Sequence, residues 1–503
     1  MSSSSSVHTI PIVTVQATFP TVANEVYSGV IPSETIWISC YDNSPPDARQ
    51  LTSLGSIHAK VRVVLDDEDR ENVVYQVREG DVHLSESARR DFGYVYTVSS
   101  PSLRIPLARL LFPVQEYADP ERSNPQKPHR ITAFSLSPDK SQFATGYLDG
   151  SVLLYPTVPI HNSQNKYPTS AMHSPSRSTY TSRRQVLVSA ASMSSGVSSA
   201  LARAHRSSVT SLRFFPSSRV LLSSGADFTL QIFPADPISA SATSSSGQSN
   251  KPVSSVRTFT AHTRSVTSSA IIDRGREIIS SSMDGTIRVW DVSTGTEETL
   301  IHSAAGVGIG INRISLDPNL VPTKDAEHPY KRRLYAALQD GSFEVLNLDD
   351  QQKPPKLVHE FRSERSVHGA LNAIAVSQPT GAAGTVLIAV GSAKGVVSVY
   401  NASTYASAHF RRSDASIEDL GFVFLENDTD KLGLVIATAD GLPWIARLKE
   451  LPLSGVCDAQ VSVYAELVGG DVDAVRHLSV HTADSGVEVW TASDDGIVRR
   501  YVL

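Results

Sequence analysis

Histidine, serine and aspartate recur together in this 503-residue chain, and these three residue types could form the catalytic triad of a hydrolase. The sets are His262, Ser280, Asp284 and Trp290; His205, Ser223 and Asp227; and His129, Thr145 and Asp149. An active site is needed once, whereas this pattern is repeated along the chain. We therefore interpret each histidine as a structural group held between its aspartate and its hydroxyl partner, and we expect no enzymatic activity.

Each set belongs to a repeated unit in which two β-prone runs flank a tight turn, usually Asp-Gly. Such a turn between apolar runs predicts a hairpin, because both residues tolerate the positive φ that the turn needs. The unit occurs at 143–155, 221–233, 278–290, 335–346, 388–400, 435–446 and 490–501. The runs do not alternate cleanly between apolar and polar residues, as expected for sheets that are covered on both faces. The seven units therefore predict a mainly β protein with a seven-bladed β-propeller.

The position of the units also predicts the domain organisation. Residues 1–100 lack the unit and are expected to form a smaller N-terminal domain, α+β or mainly β. Residues 101–128 are interpreted as a connecting segment, and 129–503 as the propeller. Because the last unit lacks an outer strand, we expect the apolar run 102–112 to supply it and close the ring. The Ser/Thr/Pro-rich insertions expected to be disordered are 157–202 and 236–255.

Composition argues against several classes of function. The net charge of -6 does not favour a nucleic-acid surface, and the two cysteines, Cys40 and Cys457, provide neither a disulfide framework nor paired zinc ligands. No apolar stretch approaches the ~20 residues that cross a bilayer. The glycine run 306–312 lacks the strand and helix that surround a dinucleotide-binding loop. We expect no cofactor, metal, nucleic-acid or membrane partner, and a location in the cytoplasm and nucleus.

The third unit, residues 261–291, resembles the WD-repeat consensus. His262, Ser280, Asp284 and Trp290 stand at the positions where, in that family, four residues form a hydrogen-bonded chain that links the strands of one blade. The resemblance implies the same structural role here, and it agrees with the propeller that the turns predict.

Two motifs resemble a narrower family. The stretch AIIDRGREIISSSMDGTIRVWD (270–291) and the end DDGIVRRYVL (494–503) are similar to the proteasomal ATPase-associated factor family. The resemblance implies a non-catalytic chaperone for assembly of the proteasome regulatory particle, a monomer outside its complex, which binds the C-terminal domain of an ATPase-ring subunit. The insertion 157–202 departs from the compact pattern of that family. Which subunit is bound stays open.

The propeller face that carries the Asp-Gly turns is the expected docking surface, because carboxylates around the last three units could attract a basic partner. They are Asp414, Glu418, Asp471, Asp473 and Asp494. One alternative is a WD-repeat adaptor of another complex, such as a ubiquitin ligase; Trp290-Asp291 is not followed by the arginine that such receptors often carry. An enzyme built on a propeller would need an unmatched polar cluster in the central channel, and the sequence does not indicate one.

Overall fold

The computed structural model describes most of the chain. The described residues are 7–42, 55–68, 72–89, 93–124, 126–158, 184–191, 203–237, 252–322, 330–380, 384–425, 431–449, 460–483 and 486–503. This part of the chain is mainly β-strand, with one α-helix.

The N-terminal part contains nine strands and the helix. They are β1 His8–Thr9, β2 Ile12–Val15, α1 Phe19–Tyr27, β3 Ser33–Tyr41, β4 Ser56–Leu65, β5 Val73–Glu79, β6 His83–Arg89, β7 Gly93–Ser100, β8 Ile105–Leu111 and β9 Gln115–Ala118. Strands β2 to β5 form one antiparallel sheet in that order. Helix α1 has a proline in its first turn, where the missing amide costs no hydrogen bond, and it buries Phe19 and Val26 in a core that is shared with β3, β4 and β7.

The remaining described strands form seven sheets, S1 to S7, in chain order. Sheet S1 contains β10 Ile131–Leu136, β11 Gln142–Tyr147, β12 Val152–Pro156 and β13 Gln185–Val188, and the later strand β17 Val253–Ser254 pairs with β13; sheet S2 contains β14 Val209–Phe214, β15 Val220–Gly225, β16 Thr229–Pro234 and β18 Arg257–Thr260. Sheet S3 contains β19 Val266–Ile272, β20 Glu277–Ser282, β21 Thr286–Asp291 and β22 Glu297–His302. Sheet S4 contains β23 Ile311–Pro322, β24 Tyr330–Leu338, β25 Phe343–Asp349 and β26 Lys356–Arg362. The last three contain β27 Leu371–Val376, β28 Leu387–Ser392, β29 Val396–Asn401 and β30 Ser407–Arg411 (S5); β31 Ile417–Phe424, β32 Leu432–Thr438, β33 Trp444–Lys449 and β34 Gln460–Leu467 (S6); and β35 Val475–Ala483, β36 Gly486–Ser493 and β37 Ile497–Val502 (S7).

The first strands of successive sheets are neighbours. The contacts run β10 to β14, β14 to β19, β19 to β23, β23 to β27, β27 to β31, β31 to β35, and β35 back to β10. Apolar clusters fill the spaces between adjacent sheets; the cluster that contains Ile279 and Leu346, for example, joins S3 to S4. Each sheet is therefore covered on both faces, which explains why the strands lack a clean alternation. Many small sheets of this kind are consistent with a propeller.

The strand that completes S7 differs from the expected one. The expectation that 102–112 closes the ring is wrong: β8 pairs in parallel with β34 of S6, and the short strand β9 pairs with β37. The apolar run was misleading because β8 serves two cores, with Leu110 in the N-terminal core and Leu111 in the core between S6 and S7. Strand β9 instead contributes polar groups, since Gln115 and Glu116 bind arginines of β37.

The N-terminal part is continuous with the sheets that follow. Strands β6, β7 and β8 extend S6, and β1 pairs in parallel with β30 of S5. The N-terminal core includes Leu103 and Ile105, and Val463 and Val468 of S6 pack against it. The boundary at residue 100 is therefore placed too early, and 101–128 contains two strands, β8 and β9, where one closing strand was expected.

Most of the two insertions lies outside the described residues. Within 157–202, however, Gln185–Val188 forms β13, the outer strand of S1, in which Leu187 and Val188 are buried. Within 236–255, Val253–Ser254 pairs with β13. The expectation of disorder is wrong for these two stretches, because the short apolar run pairs with the edge of β12 and is covered by its neighbours.

Candidate functional site

The tight turns lie at one end of the sheets, next to the connections between sheets. We call this end the turn face. It comprises the turns 148–151, 226–228, 283–285, 339–342, 393–395, 439–443 and 494–496 and the connections that precede each first strand. The turn between β28 and β29 needs glycine: Gly395 has φ +73°, and a Cβ there would lie 2.0 Å from the carbonyl oxygen of Ser413 in the next connection. Turns and connections are thus packed against each other, which makes the turn face well defined.

The four residues in S3 form one hydrogen-bonded chain. His262 Nδ1 lies 2.9 Å from Asp284 Oδ2, and His262 Nε2 lies 2.8 Å from Ser280 Oγ. Trp290 Nε1 donates to the same Ser280 Oγ at 2.9 Å. Burial by itself raises the pKa of Asp284, but the hydrogen bonds from His262, from the Thr286 hydroxyl and from a backbone amide lower it well below its usual value. The chain ties the connection before β19 to β20 and β21.

The set in S2 has the same geometry without the indole. His205 Nδ1 lies 3.0 Å from Asp227 Oδ1, and Nε2 lies 2.8 Å from Ser223 Oγ. Phe233 takes the position that corresponds to Trp290, and it is fully buried. Burial raises the pKa of Asp227, and the hydrogen bond and charge of His205, together with two further hydrogen bonds, lower it to about 2.

The set expected at His129 is not formed in this way. Its partner is Arg122, whose Nη1 lies 3.0 Å from His129 Nδ1 and 3.0 Å from Asp149 Oδ2. Arg122 also lies over the ring of Tyr147, 4.9 Å from its centroid, whereas Thr145 lines a small apolar cavity. An arginine therefore occupies the place of the histidine in S1. His129 was expected to be the partner of Asp149 because it is a histidine and lies closer in sequence to Asp149 than Arg122 does.

The geometry of the sets at His205 and His262 is that of structural hydrogen bonds between strands and not that of a catalytic triad. Ser280 Oγ already accepts from Trp290 while it contacts His262, and Ser280 is fully buried. A nucleophilic hydroxyl has to reach a substrate carbon, and a hydroxyl enclosed within a sheet cannot do so. The residue types of a triad are present here in a position where they bind strands together.

We expect His262→Ala to lower the free energy of unfolding by about 1–3 kcal/mol, because it removes one hydrogen bond from the buried hydroxyl of Ser280 and one from the carboxylate of Asp284. His205→Ala is expected to have an effect of the same size, whereas His129→Ala, which interrupts no such chain, is expected to have little effect. Thermal melting of the three purified variants checks this. Equal melting temperatures for all three would contradict the structural role of the chains.

Of the five carboxylates expected to form a docking surface, four lie at the turn face and Glu418 lies at the start of β31. The five are not equivalent. Arg476 binds both Glu418, at 2.9 Å, and Asp494, at 2.9 Å, and these two side chains are largely buried. Asp414 is 86% exposed and pairs only with the neighbouring Arg411, an exposed contact of little energy. Asp471 is also exposed. Asp414, Asp471 and Asp473 are therefore the members of the set that are most accessible to a partner.

The neighbouring carboxylates make the electrostatic potential at Asp473 more negative. The pKa of Asp473 is raised, first by burial and then by the charges of Asp495, Asp471 and Asp494. A carboxylate whose pKa is raised by neighbouring negative charges is stabilised by an incoming cation. The surroundings of Asp473 therefore favour a basic group.

Large apolar side chains are also exposed at the turn face, a feature that sequence analysis missed. They are Leu148, Phe228, Val307, Val367 and Val472. All five are in the turns or in the connections between sheets, where no apolar periodicity marks them. A partner that bound the turn face would bury such side chains as contact area.

A polar cluster inside the ring of first strands was also missed. Arg213, Arg313, Asp419 and His477 come from the first strands of S2, S4, S6 and S7. Arg313 Nη2 lies 2.8 Å from Asp419 Oδ1, and His477 Nδ1 lies 3.6 Å from the other oxygen. Burial raises the pKa of Asp419, but Arg313 and His477 lower it to about 2. The Arg313–Asp419 pair therefore links the first strands of S4 and S6, which are two positions apart in the cyclic order.

Comparison with known families gives one match. The description WD domain, G-beta repeat matches residues 122–155, 197–233 and 253–291. These segments contain the turns of S1, S2 and S3 and the hydrogen-bonded chains at His205 and His262. The expectation of WD repeats is thus confirmed for these three segments. No curated protein matches the chain.

In the part of the chain that the structure describes, the one helix, α1, is too short to cross a bilayer. In the same part of the chain, no three His, Cys, Asp or Glu side chains are grouped as metal ligands.

Proposed function

We propose that this protein is a seven-bladed β-propeller that acts as a non-catalytic docking scaffold through its turn face. Its proposed client is the C-terminal domain of an ATPase-ring subunit of the proteasome regulatory particle, in the cytoplasm and nucleus. The observation that supports the scaffold is the combination, on one rigid face, of exposed apolar side chains with accessible carboxylates.

The blade count is supported by the cyclic order of contacts between first strands, which returns from β35 to β10. The closing arrangement adds to this. Strand β9 pairs with β37, and Arg499 Nε lies 3.0 Å from Glu116 Oε1 across that pair. This contact joins residues more than 380 positions apart in the chain. A closed propeller requires such a contact, because closure gives the first and the last sheet a neighbour on both faces.

The turn face has the properties of a binding surface. Its shape is held by the buried chains at His205 and His262 and by close packing of turns on connections. Such a surface loses little conformational entropy when a partner binds. Apolar side chains such as Phe228 supply contact area, and the carboxylates near Asp471 steer a basic partner toward the last sheets.

The narrower assignment rests on the resemblance of 270–291 and 494–503 to the proteasomal ATPase-associated factor family. In this chain the motif residues have structural roles. Arg500 binds Glu488 at 2.7 Å, and Asp273 of the first motif pairs with Arg332 of S4. The motifs therefore support a shared architecture, and the client has to be tested directly.

The first test is recovery of the partner. The tagged chain, incubated with a cell lysate, is expected to retain ATPase subunits of the regulatory particle, and cross-linking to the purified ATPase ring is expected to link the turn face to a C-terminal domain. Retention of ubiquitin-ligase components without any such ATPase subunit would contradict the proposed client and favour the alternative adaptor role.

We expect Asp471→Lys and Asp473→Lys each to weaken binding of the isolated ATPase C-terminal domain by about threefold to tenfold at low salt, because each reverses a charge that attracts a basic partner. The difference should shrink as salt is added. The matched control is Asp236→Lys, which makes the same charge change on an exposed side chain that follows β16, at the opposite end of S2. Surface plasmon resonance at two ionic strengths measures the effect. Equal loss in all three variants would rule out a specific contact.

A further inference from the structure

A groove of about 430 Å³ lies between the N-terminal sheet and the turn face of S6. One wall is the edge strand β2 together with Trp37 and Tyr41 of β3. The other wall is the turn that contains Leu442, together with the connection that follows β34 and contains Val472. The groove is thus bounded by two parts of the chain that are far apart in sequence.

The two walls are fixed relative to each other. Arg412 binds Glu466 through both of its terminal nitrogens, with Nη1 2.8 Å from Oε2. Arg412 Nε also donates to the carbonyl oxygen of Pro11 at 3.0 Å, and the amide of Val13 donates to Glu466 Oε1 at 3.3 Å. The ion pair, which is buried, therefore holds β2 beside S6, and the groove exists before any ligand binds.

Apolar side chains at the entrance are exposed to solvent. Trp37 is 48% exposed, and Val472, on the opposite wall, is 78% exposed. Deeper in the groove, Ile12 and Leu467 are buried. An exposed tryptophan above an apolar pocket is the kind of site that takes an apolar anchor residue from another protein.

The charged residues that line the groove are all acidic. The described lining residues include the carboxylates of Asp440, Asp471 and Glu466 and no lysine, arginine or histidine. Glu466 is neutralised by Arg412, which leaves Asp440 and Asp471 to act on a ligand. In the same connection, the pKa of Asp473 is raised first by burial and then by the negative charges of nearby aspartates, Asp471 among them.

We propose that this groove binds an extended segment of another protein in which an apolar side chain is flanked by lysine or arginine. The apolar side chain enters between Trp37 and Val472, and the cation lies against Asp440 and Asp471. The inference rests on the proposed scaffold function, which it extends from the turn face to the junction with the N-terminal sheet. It requires no particular client.

The test selects ligands from a phage-displayed library of random peptides against the intact chain. Selected peptides are then synthesised and their affinity is measured by fluorescence polarisation. We expect enrichment of peptides that place Lys or Arg beside a large apolar residue, and at least about tenfold weaker binding to Trp37→Ala and to Val472→Lys. Both side chains are exposed, so both variants are expected to fold, which melting curves verify.

Matched controls identify the groove. Val367→Lys introduces the same cation on the turn face between S4 and S5, and Val77→Ala removes an exposed apolar side chain from β5 of the N-terminal sheet. Neither change is expected to alter peptide affinity. Replacing Lys and Arg of a selected peptide with Glu is expected to abolish binding.

The inference is overturned if selected peptides are acidic, or if they bind Trp37→Ala and Val472→Lys as tightly as the unaltered chain. It is also overturned if the chain is a dimer that Trp37→Ala dissociates, because a second copy would then occupy the groove. A chain that binds the ATPase domain but enriches no such peptide contradicts only the groove. A chain that binds the peptides but not the ATPase domain contradicts only the proposed client.

Discussion

Replacing Trp490 with alanine is expected to lower the free energy of unfolding by about 3–5 kcal/mol, the range for removal of a large buried aromatic side chain. Trp490 is fully buried in the core between S7 and S1. Its ring is stacked with Tyr117 of the closing strand, at a centroid distance of 5.4 Å, and Arg500 lies over it at 5.0 Å. The substitution therefore removes packing where the end of the chain meets β9 and β10.

The urea midpoint of the purified variant measures this loss. The control is Trp37→Ala, which removes the same side chain from an exposed position and is expected to shift the midpoint little. We also expect the Trp490 variant to become sensitive to proteolysis near β9, because the closing strand loses the stacking of Tyr117 on Trp490. Equal midpoints for the two tryptophan variants would show that the closing strand contributes little to stability.

The second large effect is expected for Glu466→Ala, again about 3–5 kcal/mol, because removal of one partner leaves the charge of Arg412 buried and uncompensated. Both side chains of the pair are only 5% exposed, and Arg412 also lies 5.0 Å from the ring centroid of Trp444. Since Glu466 contacts Val13 as well, the loss should loosen β2 from S6.

The neighbouring residue supplies a matched control. Arg411 pairs with Asp414 on the surface, so Asp414→Ala is expected to cost less than about 1 kcal/mol. The double variant Arg412→Leu/Glu466→Leu is expected to recover part of the stability that Glu466→Ala loses, because no unpaired charge remains. Denaturant unfolding of the four proteins compares them. A double variant no more stable than Glu466→Ala would contradict an electrostatic origin.

Sequence analysis predicted the features that depend on neighbouring residues. The hairpins at 143–155 and 278–290 correspond to β11–β12 and β20–β21, because a turn is determined by the few residues that form it. The hydrogen-bonded chains at His205 and His262 were predicted for the same reason, since each spans one short repeat with a constant spacing.

The sequence-based prediction was wrong in two situations. In one, two residues could bind the same side chain; in the other, a strand pairs with a sheet that is distant in sequence. His129 has the residue type of the motif, yet Arg122 reaches Asp149 instead. The run 102–112 has the apolar character of a closing strand, yet β8 belongs to S6. Residue type alone does not distinguish these choices, because the deciding contacts lie outside the motif.

The sequence by itself thus determined the repeating hairpins, the WD repeats and the mainly β class, because turn geometry and apolar runs act over a few residues. Only the tertiary structure decided that β9 closes S7, that Arg213, Arg313, Asp419 and His477 meet inside the ring, and that β2 forms a groove with S6. These features bring together residues from distant parts of the chain. The stability of these contacts depends on packing between residues that are distant in sequence, and local hydrophobic periodicity does not predict such packing.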